Sequence, residues 1–207
     1  MAKKYYAVAK GKKTGIFMTW NECKAQVHGC AGAVYKSFPT MEEAKKFLEL
    51  GSVLSQETPV HSEEHKPQSD EEHAVAYVDG SYNAASHTFA YGVVMFWNGE
   101  EFHMSEQVKD ENLVDMRNVA GEICGAKAAM QFALEKDCKE LVIYHDYEGI
   151  AKWPLGMWKT NKEGTAAYKR YYDEVKETLL VKFVKVKGHS NDTYNEMADQ
   201  LAKAAIF

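Results

Sequence analysis

Two aspartates stand where strand-like stretches of this sequence end. Asp79 closes the run HAVAYVD, and Asp146 closes ELVIYHD. Aspartate favours turns because its side chain bonds to its own backbone, so turn chemistry explains either residue alone. Ligands of open α/β sheets, however, bind at the carboxyl ends of strands. If the two strands are neighbours, both carboxylates therefore reach one ligand site.

Two further acids lie in helical segments beside apolar residues. Glu122 lies in NVAGEICGAKAA, where the small residues Gly121, Cys124 and Gly125 allow a helix to approach a sheet closely. Asp199 lies in NEMADQLA, again next to apolar residues. Acids on helices usually face solvent. That alternative stays open for each residue taken alone.

Together, the four acids predict a site for hard divalent cations. Carboxylates held close together repel one another unless cations lie between them, and Mg²⁺ prefers oxygen ligands. Two such ions about 4 Å apart are the usual apparatus of in-line phosphoryl transfer. One ion activates the attacking water, and the other stabilises the leaving oxygen. The pattern predicts two Mg²⁺ ions, with Mn²⁺ as a substitute, and a phosphodiester substrate.

The segments around these acids predict an α/β fold. Residues 74–207 contain three strands joined by hairpins, then a helix, a strand, helical segments, a strand and a final helix. An antiparallel part that runs into βαβ units produces a mixed five-stranded sheet flanked by helices. At the end of the first of these strands, we expect Gly80 to keep the backbone clear for nucleic acid.

Charge and composition divide the chain into three regions. Residues 1–50 carry a net charge of +5, and their strand and helix pattern predicts a small α+β domain that binds a polyanion. Residues 51–73 carry −5, are rich in Ser, Pro, Glu and His, and predict a flexible acidic linker. Residues 74–207 also carry −5 and form the predicted catalytic domain.

Composition indicates ordinary globular material. The 207 residues are 45% hydrophobic and 27% charged, enough for two modest domains. The four cysteines lack zinc-site or disulfide-framework spacing and predict reduced thiols. Neither a signal peptide nor an apolar run of membrane-spanning length is found. We therefore expect a cytoplasmic monomer that does not bind membranes.

Five motifs in residues 73–205 resemble ribonuclease H of type 1, in the family's order: YVDGSYN, NVAGEICGAKAA, VIYHDYEGI, VKGHSND and NEMADQLA. The resemblance implies an endonuclease that hydrolyses the RNA strand of an RNA–DNA hybrid and leaves 5′-phosphate and 3′-hydroxyl ends. The metal-binding carboxylates of the family correspond to Asp79, Glu122, Asp146 and Asp199. Further nucleic-acid contacts are implied for Ser81, Asn83 and Asn118.

The resemblance also implies that His189 is the histidine of the family's mobile loop. This residue lies in the polar segment KGHSND rather than on an apolar face, which disfavours a core histidine. An imidazole near the metal ions can transfer a proton or assist product release, and both roles stay open.

Residues 4–48 resemble the hybrid-binding, or viroplasmin-like, domain that precedes the catalytic part in many relatives. The family's phosphate-contacting residues correspond to Trp20 and Lys36, with backbone contacts to RNA near Gly29 and Gly32. An aromatic plate and an ammonium suit a DNA backbone, and contacts to the 2′-hydroxyl distinguish RNA. A core tryptophan and a solvated lysine remain the alternatives. Double-stranded RNA remains open as a further ligand of this domain.

The segment between Asp146 and the strand at Val181 lacks the long basic insertion by which some relatives bind hybrid. Trp153, Trp158 and Lys159 are predicted to form a reduced handle there. We therefore expect the basic head to supply hybrid affinity that the acidic body lacks, with the linker keeping its local concentration high.

Two other classes of protein stay open. In the first, the chain is a noncatalytic hybrid or double-stranded RNA binding protein with the body as a scaffold. The four mutually repelling acids disfavour it, and Asp79→Asn discriminates, since only a metal-dependent nuclease would lose turnover. In the second, the chain is another nuclease or an integrase-type enzyme on the same fold. The head and KGHSND disfavour that class.

Overall fold

A computed structural model describes residues 4–30, 33–52, 66–111, 113–188 and 192–207. The chain divides into two compact units, Met1–Gln56 and Glu57–Phe207. Among the helices in these ranges, none combines the length and apolar character needed to cross a membrane.

The smaller unit is an antiparallel sheet with two helices. Its elements are β1 Tyr5–Lys10, β2 Gly15–Phe17, α1 Trp20–Val27, β3 Val34–Phe38 and α2 Met41–Ser52, and the strand order is β2-β1-β3. Val8 and Cys23 are buried between the sheet and α1. Ala44 and Phe47 of α2 are buried as well. The α+β architecture predicted for the head is confirmed.

Helix α1 begins at a reciprocal cap. The Thr19 hydroxyl accepts a hydrogen bond from the Glu22 backbone N–H (3.3 Å), and the Glu22 carboxylate accepts one from the Thr19 N–H (3.0 Å). This capping box satisfies two backbone donors that the helix itself cannot. It therefore defines where the first turn starts, with Trp20 as the first residue of the helix.

The larger unit is a mixed five-stranded sheet with helices. Its elements are β4 His73–Asn83, β5 Thr88–Trp97, β6 Glu100–Val108, a 3₁₀ turn Val114–Met116, α3 Asn118–Glu135, β7 Glu140–His145, α4 Gly149–Lys152, α5 Glu163–Val175, β8 Leu180–Lys185 and α6 Thr193–Ala204. The strand order is β6-β5-β4-β7-β8. Strands β4, β5 and β6 are antiparallel neighbours, whereas β7 runs parallel to β4 and β8. The predicted fold class is confirmed.

Alternation along β4 gives the sheet two buried faces. Tyr77 packs in one cluster with Ala198 of α6. The next residue, Val78, lies on the other face, beside Gly125 of α3. Successive side chains of a strand point to opposite faces, so α3 and α6 cover opposite sides of the sheet. Asp79 is two residues after Tyr77, so its side chain points to the same face of the sheet, the face that α6 covers.

The ends of the predicted linker are structured. Helix α2 continues through Ser52. Residues 66–72 precede β4, and there the Glu71 carbonyl accepts a hydrogen bond from the Trp97 indole at 3.1 Å. This contact uses a backbone oxygen, which leaves no periodic pattern of side chains in the sequence. Residues 51–52 and 66–73 of the predicted linker are therefore structured, and the linker over 51–73 stays a prediction.

Candidate active site

Two glycines allow α3 to touch the sheet. A Cβ on Gly80 would lie 2.2 Å from the Asn118 carbonyl oxygen, and one on Gly121 would lie 2.1 Å from the Ala90 carbonyl oxygen. No side chain fits in such gaps, so both positions need glycine. The close approach predicted from the small residues of α3 is present. Gly80, expected to leave room for nucleic acid, instead leaves room for the backbone of α3.

This approach brings three acids together. One carboxylate oxygen from each of Asp79, Glu122 and Asp146 lies within 4.8 Å of the others. Asp79 comes from β4, Glu122 from the first turns of α3, and Asp146 from the residue after β7. The parallel pairing of β4 with β7 ends at Tyr77 and Tyr144, and Asp79 and Asp146 each lie two residues further along. The two aspartates therefore lie together, as the sequence predicted. Only Asp146 follows the end of its strand, because β4 continues through Asn83 and Asp79 lies inside it.

Burial and mutual repulsion keep protons on this cluster. Burial, followed by the charge of Asp146, raises the pKa of Asp79 to about 7, although the Gly80 N–H opposes this by donating to its carboxylate at 2.6 Å. Glu122 is 2% exposed. Burial and the charges of Asp146 and Asp79 raise its pKa to about 9. Each shift reports an anionic form that burial and neighbouring carboxylates destabilise.

The cluster fits hard divalent cations. The Oε2 atom of Glu122 is buried and has no hydrogen-bond partner among the described residues. Buried polar atoms in proteins are nearly always paired, so an unpaired oxygen on a carboxylate that lies beside two others calls for a ligand. An all-oxygen anionic set is the kind that Mg²⁺ and Mn²⁺ bind. Asp79, Glu122 and Asp146 are the residues that would hold them.

Asp199 lies beside the cluster rather than within it. Its carboxylate pairs with Lys203 one turn later in α6, at 2.6 Å. Its charge nevertheless contributes to the raised pKa of Asp79, after burial and Asp146. Helix α6 comes close because a Cβ on Gly92 of β5 would lie 2.0 Å from the Ala198 carbonyl oxygen. The Lys203 pairing and the Gly92 contact were both missed from the sequence; Lys203, four residues after Asp199, was the available signal.

The surroundings of Asp146 are tightly packed. A Cβ on Gly188 would lie 2.6 Å from an Asp146 carboxylate oxygen. The preceding residue, His145, is buried and donates from Nδ1 to the Tyr147 carbonyl oxygen at 3.0 Å. Burial lowers the pKa of His145 to about 4, which makes it a neutral imidazole. The predicted loop histidine, His189, lies outside the described residues.

The predicted contacts of the larger unit differ in their surroundings. Ser81 is buried in β4, two residues beyond Asp79. Asn118 is exposed at the first position of α3. The side chain of Asn83 accepts from the Ala85 N–H at 2.9 Å and donates to the Ile206 carbonyl at 3.2 Å. Asn83 therefore holds its own turn and the C-terminal segment.

The segment that follows Asp146 in the sequence contains three aromatic residues that pack together. The rings of Tyr147, Trp153 and Trp158 contact one another with centroids 5.6–6.2 Å apart. The Lys152 ammonium lies 5.1 Å from the Trp158 ring centre. An adjacent cavity of about 310 Å³ is lined by Trp153, Lys159 and Lys162, among others. Trp153 and Lys159, predicted to belong to a reduced handle, line this cavity, and Trp158 belongs to the ring group.

The Trp20 ring of the smaller unit contacts the rings of Tyr6 and Tyr35, and we call these three residues the Trp20 group. Trp20 is 43% exposed, and its ring lies 5.9 Å from that of Tyr6 and 5.8 Å from that of Tyr35. Trp20 is therefore a surface residue, and the core alternative is excluded. Tyr6 and Tyr35 were missed, because an aromatic residue in a strand is ordinarily explained by packing.

Lys36 and Trp20 lie on different faces of the small sheet. Lys36 is exposed, and its ammonium lies 5.8 Å from the ring centre of Phe38, two residues along β3. Strand alternation places Lys36 with Phe38 and Ser37 with Tyr35. The position on the Trp20 side is therefore occupied by Ser37.

Gly29 has a φ of +76° in the turn that follows α1, and the space around its Cβ position is open. A left-handed φ favours glycine, and the open space leaves the backbone accessible to a ligand. Gly32 lies outside the described residues.

A mixed five-stranded sheet with a cluster of acids from β4, α3 and the residue after β7 fits the class of metal-dependent nucleases, and comparison with known proteins gives the family. The RNase H family model matches residues 71–207, and the model described as the Ribonuclease H1 N-terminal domain matches residues 4–48. The chain therefore belongs to the RNase H family, and it is a ribonuclease H endonuclease.

Relatives match both units. Ribonuclease H1 of Rattus norvegicus is 27% identical over 96% of this chain and 88% of its own length, and that of Homo sapiens is 26% identical with the same coverage. Ribonuclease H of Saccharomyces cerevisiae is 61% identical over 44 residues, which are 21% of this chain and 13% of its own.

Solved structures match the fold of the larger unit. RNase H1 from Halobacterium salinarum superposes with a TM-score of 0.53 and 20% identity, over 64% of this chain and 96% of its own. LC11-RNase H1, solved in complex with an RNA/DNA hybrid, gives a TM-score of 0.51 and 16% identity, over 65% and 99% of the two chains.

Proposed function

We propose that this ribonuclease H hydrolyses the RNA strand of RNA–DNA hybrids with two divalent metal ions and leaves 5′-phosphate and 3′-hydroxyl ends. The observation that carries the proposal is the buried, unpaired Glu122 carboxylate oxygen beside the carboxylates of Asp79 and Asp146. Mg²⁺ is the proposed ion, and Mn²⁺ the proposed substitute.

The acids of the cluster and their neighbours are proposed to have different roles. Asp79, Glu122 and Asp146 would hold the ions, and Asp199 adds negative charge next to Asp79. Bound divalent ions supply the activation of a water and the stabilisation of the leaving oxygen. The Gly80 N–H holds one oxygen of Asp79, so the carboxylate keeps its direction as the charge around it changes. His189 is proposed as the loop residue that moves a proton or assists release of the product.

Hybrid as the substrate is supported from both units. A structure with the same fold binds an RNA/DNA hybrid. The first unit matches the N-terminal domain of ribonuclease H1, and its exposed Trp20 group offers rings that can contact a nucleic acid. Residues 1–50 carry +5, which favours binding to a phosphate backbone. We propose that this unit binds hybrid and, as a second ligand, double-stranded RNA. We also propose that the enzyme is a cytoplasmic monomer.

Cleavage of three end-labelled duplexes tests the proposal. A hybrid, an RNA duplex and a DNA duplex of one sequence are incubated with Mg²⁺, with Mn²⁺ and with EDTA. We expect cleavage only of the RNA strand of the hybrid, with either ion and not with EDTA. Susceptibility of the downstream fragment to a phosphatase, and extension of the upstream fragment by a polymerase, identify the ends. Metal-supplied protein that binds hybrid and leaves it intact would instead favour the noncatalytic binding protein.

A further inference from the structure

His145 is a buried polar residue that the proposed reaction does not use. It is the last residue of β7, directly before Asp146, and only 1% of it is exposed. Its Nδ1 lies 3.0 Å from the Tyr147 carbonyl oxygen. A carbonyl oxygen only accepts, so Nδ1 carries the hydrogen. The bond therefore spans Asp146 and closes a turn with this residue at its centre.

The turn is tied to the elements on either side. The His145 carbonyl accepts from the Val186 N–H at 2.9 Å, just after β8. The Tyr147 carbonyl, already bonded to His145, also accepts from the Ile150 N–H of α4 at 3.1 Å. The Ile150 carbonyl accepts from the Tyr168 hydroxyl of α5 at 2.9 Å. A chain of hydrogen bonds thus runs from β8 through the turn to α5.

The second ring nitrogen, Nε2, shows that packing alone does not account for a histidine at this position. Nε2 is buried and unpaired within the described ranges, which costs free energy. The ring packs edge-on against Phe183, with centroids 6.1 Å apart and planes at 74°. A phenyl ring would fill the same space without burying an unpaired nitrogen. What the imidazole adds is the Nδ1–H donor.

The space around Asp146 makes its direction sensitive to this turn. A Cβ on Gly188 would lie 2.6 Å from the carboxylate, and one carboxylate oxygen of Asp146 lies within 4.8 Å of one from each of Asp79 and Glu122. A small rotation of the turn would move it towards Gly188 or away from the cluster. The bond from His145 opposes that rotation.

We propose that His145 is a positioning residue, which aims the Asp146 carboxylate at the cluster through its hydrogen bond to the Tyr147 carbonyl. The inference rests on the proposed function, in which Asp146 is a metal ligand. Groups that orient metal ligands typically change metal affinity or activity about 10- to 100-fold when they are substituted.

Three substitutions separate the hydrogen bond from the volume of the ring. His145→Asn places an N–H close to the position of Nδ1, His145→Gln places one closer to Nε2, and His145→Phe keeps the ring and removes the donor. Binding of Mn²⁺ alone is measured by electron paramagnetic resonance titration of the full-length chain. Melting temperature, and kcat and KM on hybrid, are measured in parallel.

We expect His145→Phe and His145→Gln to lower Mn²⁺ affinity and kcat about tenfold or more, with KM for hybrid unchanged, and His145→Asn to recover most of the loss. A purely structural role predicts changes that follow melting temperature instead, with no difference between Asn and Gln.

The proposal is overturned if His145→Phe binds Mn²⁺ and cleaves hybrid like the unsubstituted chain, or if Asn and Gln lose affinity equally. Should His145→Phe fail to fold, the comparison of Asn with Gln decides. Unsubstituted protein that binds Mn²⁺ without cleaving hybrid would refute the proposed function, whereas the Mn²⁺ affinities would still test His145.

Discussion

The Trp20 group and the carboxylate cluster place their functional side chains in opposite environments. Trp20 and Tyr35 are each 43% exposed, on a unit whose residues 1–50 carry +5. Glu122 is 2% exposed, in a region of net charge −5. Exposed rings and positive charge suit a ligand that is gripped and released. Buried carboxylates suit ions that must be oriented for chemistry.

The two groups differ in what they cost in free energy of folding when no ligand is bound. The rings of the smaller unit pack on one another, so their arrangement costs little when no ligand is present. The carboxylates of the larger unit repel one another, as the raised pKa values of Asp79 and Glu122 indicate. The carboxylate cluster therefore opposes folding in the absence of metal, whereas the group of Trp20, Tyr6 and Tyr35 does not.

The largest effect is expected from Asp79→Asn. The amide keeps the shape and loses the charge, so kcat on hybrid should fall by on the order of 10²–10³-fold with binding retained. The same change should raise the melting temperature in EDTA, because it removes a buried charge. Single-turnover cleavage, hybrid titration and thermal melts measure these effects. Glu100→Gln, at an exposed acid on edge strand β6, is the control. Retained turnover in Asp79→Asn would contradict the buried-site account.

A pH dependence of stability should follow from the same charges. Asp79 and Glu122 bind protons more tightly when folded, since unfolded carboxyls have a pKa of about 4. Their contribution to stability is fully present below about pH 4 and is lost as pH rises through about 7 for Asp79 and about 9 for Glu122. The melting temperature in EDTA should fall by about 5–10 °C between pH 5 and pH 9. Mg²⁺ should reverse most of this fall.

Glu122→Gln serves as the internal control for that titration. The variant cannot ionise at this position, so its melting temperature in EDTA should depend less on pH than that of the unsubstituted chain. Identical pH profiles for the two proteins would show that other groups cause the dependence.

A smaller effect is expected from Trp20→Ala in the smaller unit. Stacking of a base on an aromatic ring contributes about 1–3 kcal/mol, and we expect loss of the Trp20 ring from the phosphate backbone to cost the lower part of this range. Hybrid affinity should therefore fall about tenfold while kcat at saturating hybrid stays unchanged. Fluorescence anisotropy with labelled hybrid measures the affinity. Trp20→Phe keeps a ring beside Tyr6 and Tyr35 and should lose less. A fall in kcat without a loss of affinity would contradict the division between the two sites.

The smallest effect concerns Ser37. Strand alternation places it on the Trp20 side, so Ser37→Lys should add one phosphate contact and steepen the salt dependence of hybrid binding by about 0.9 in the log–log slope. Affinity at physiological salt should rise a few-fold. Glu49→Gln, which raises the net charge by the same one unit in α2, is the control. Equal gains from both variants would indicate a general charge effect rather than a contact beside Trp20.

Local patterns predicted much of the fold. Apolar runs and turns identified the strands of both units, and the hairpin-to-βαβ succession identified the mixed sheet. The proximity of Asp79 and Asp146 followed from the same patterns, because each lies two residues beyond the last pair that joins the parallel strands β4 and β7. Glycines in α3 predicted its close approach, since a missing Cβ is visible in sequence.

Other features depend on distant partners and were missed. The attachment of residues 66–72 uses the Trp97 indole and a backbone carbonyl, which no local pattern reveals. The amide of Asn83 donates to the Ile206 carbonyl, 123 residues away, and this bond was not foreseen. Its contact with nucleic acid stays a prediction. Such pairs become visible only when the chain is folded, because they join residues without a common period.

The sequence by itself determined the classes of element, the identity of the acids and the charge of the two units, since these depend on residue types and short spacings. Tertiary structure alone decided that Asp199 pairs with Lys203 beside the cluster, that Gly80 makes room for α3, and that Glu122 is buried with an unpaired oxygen. The reason is physical: burial, repulsion and close approach are properties of groups brought together from different elements, and they exist only after those elements pack.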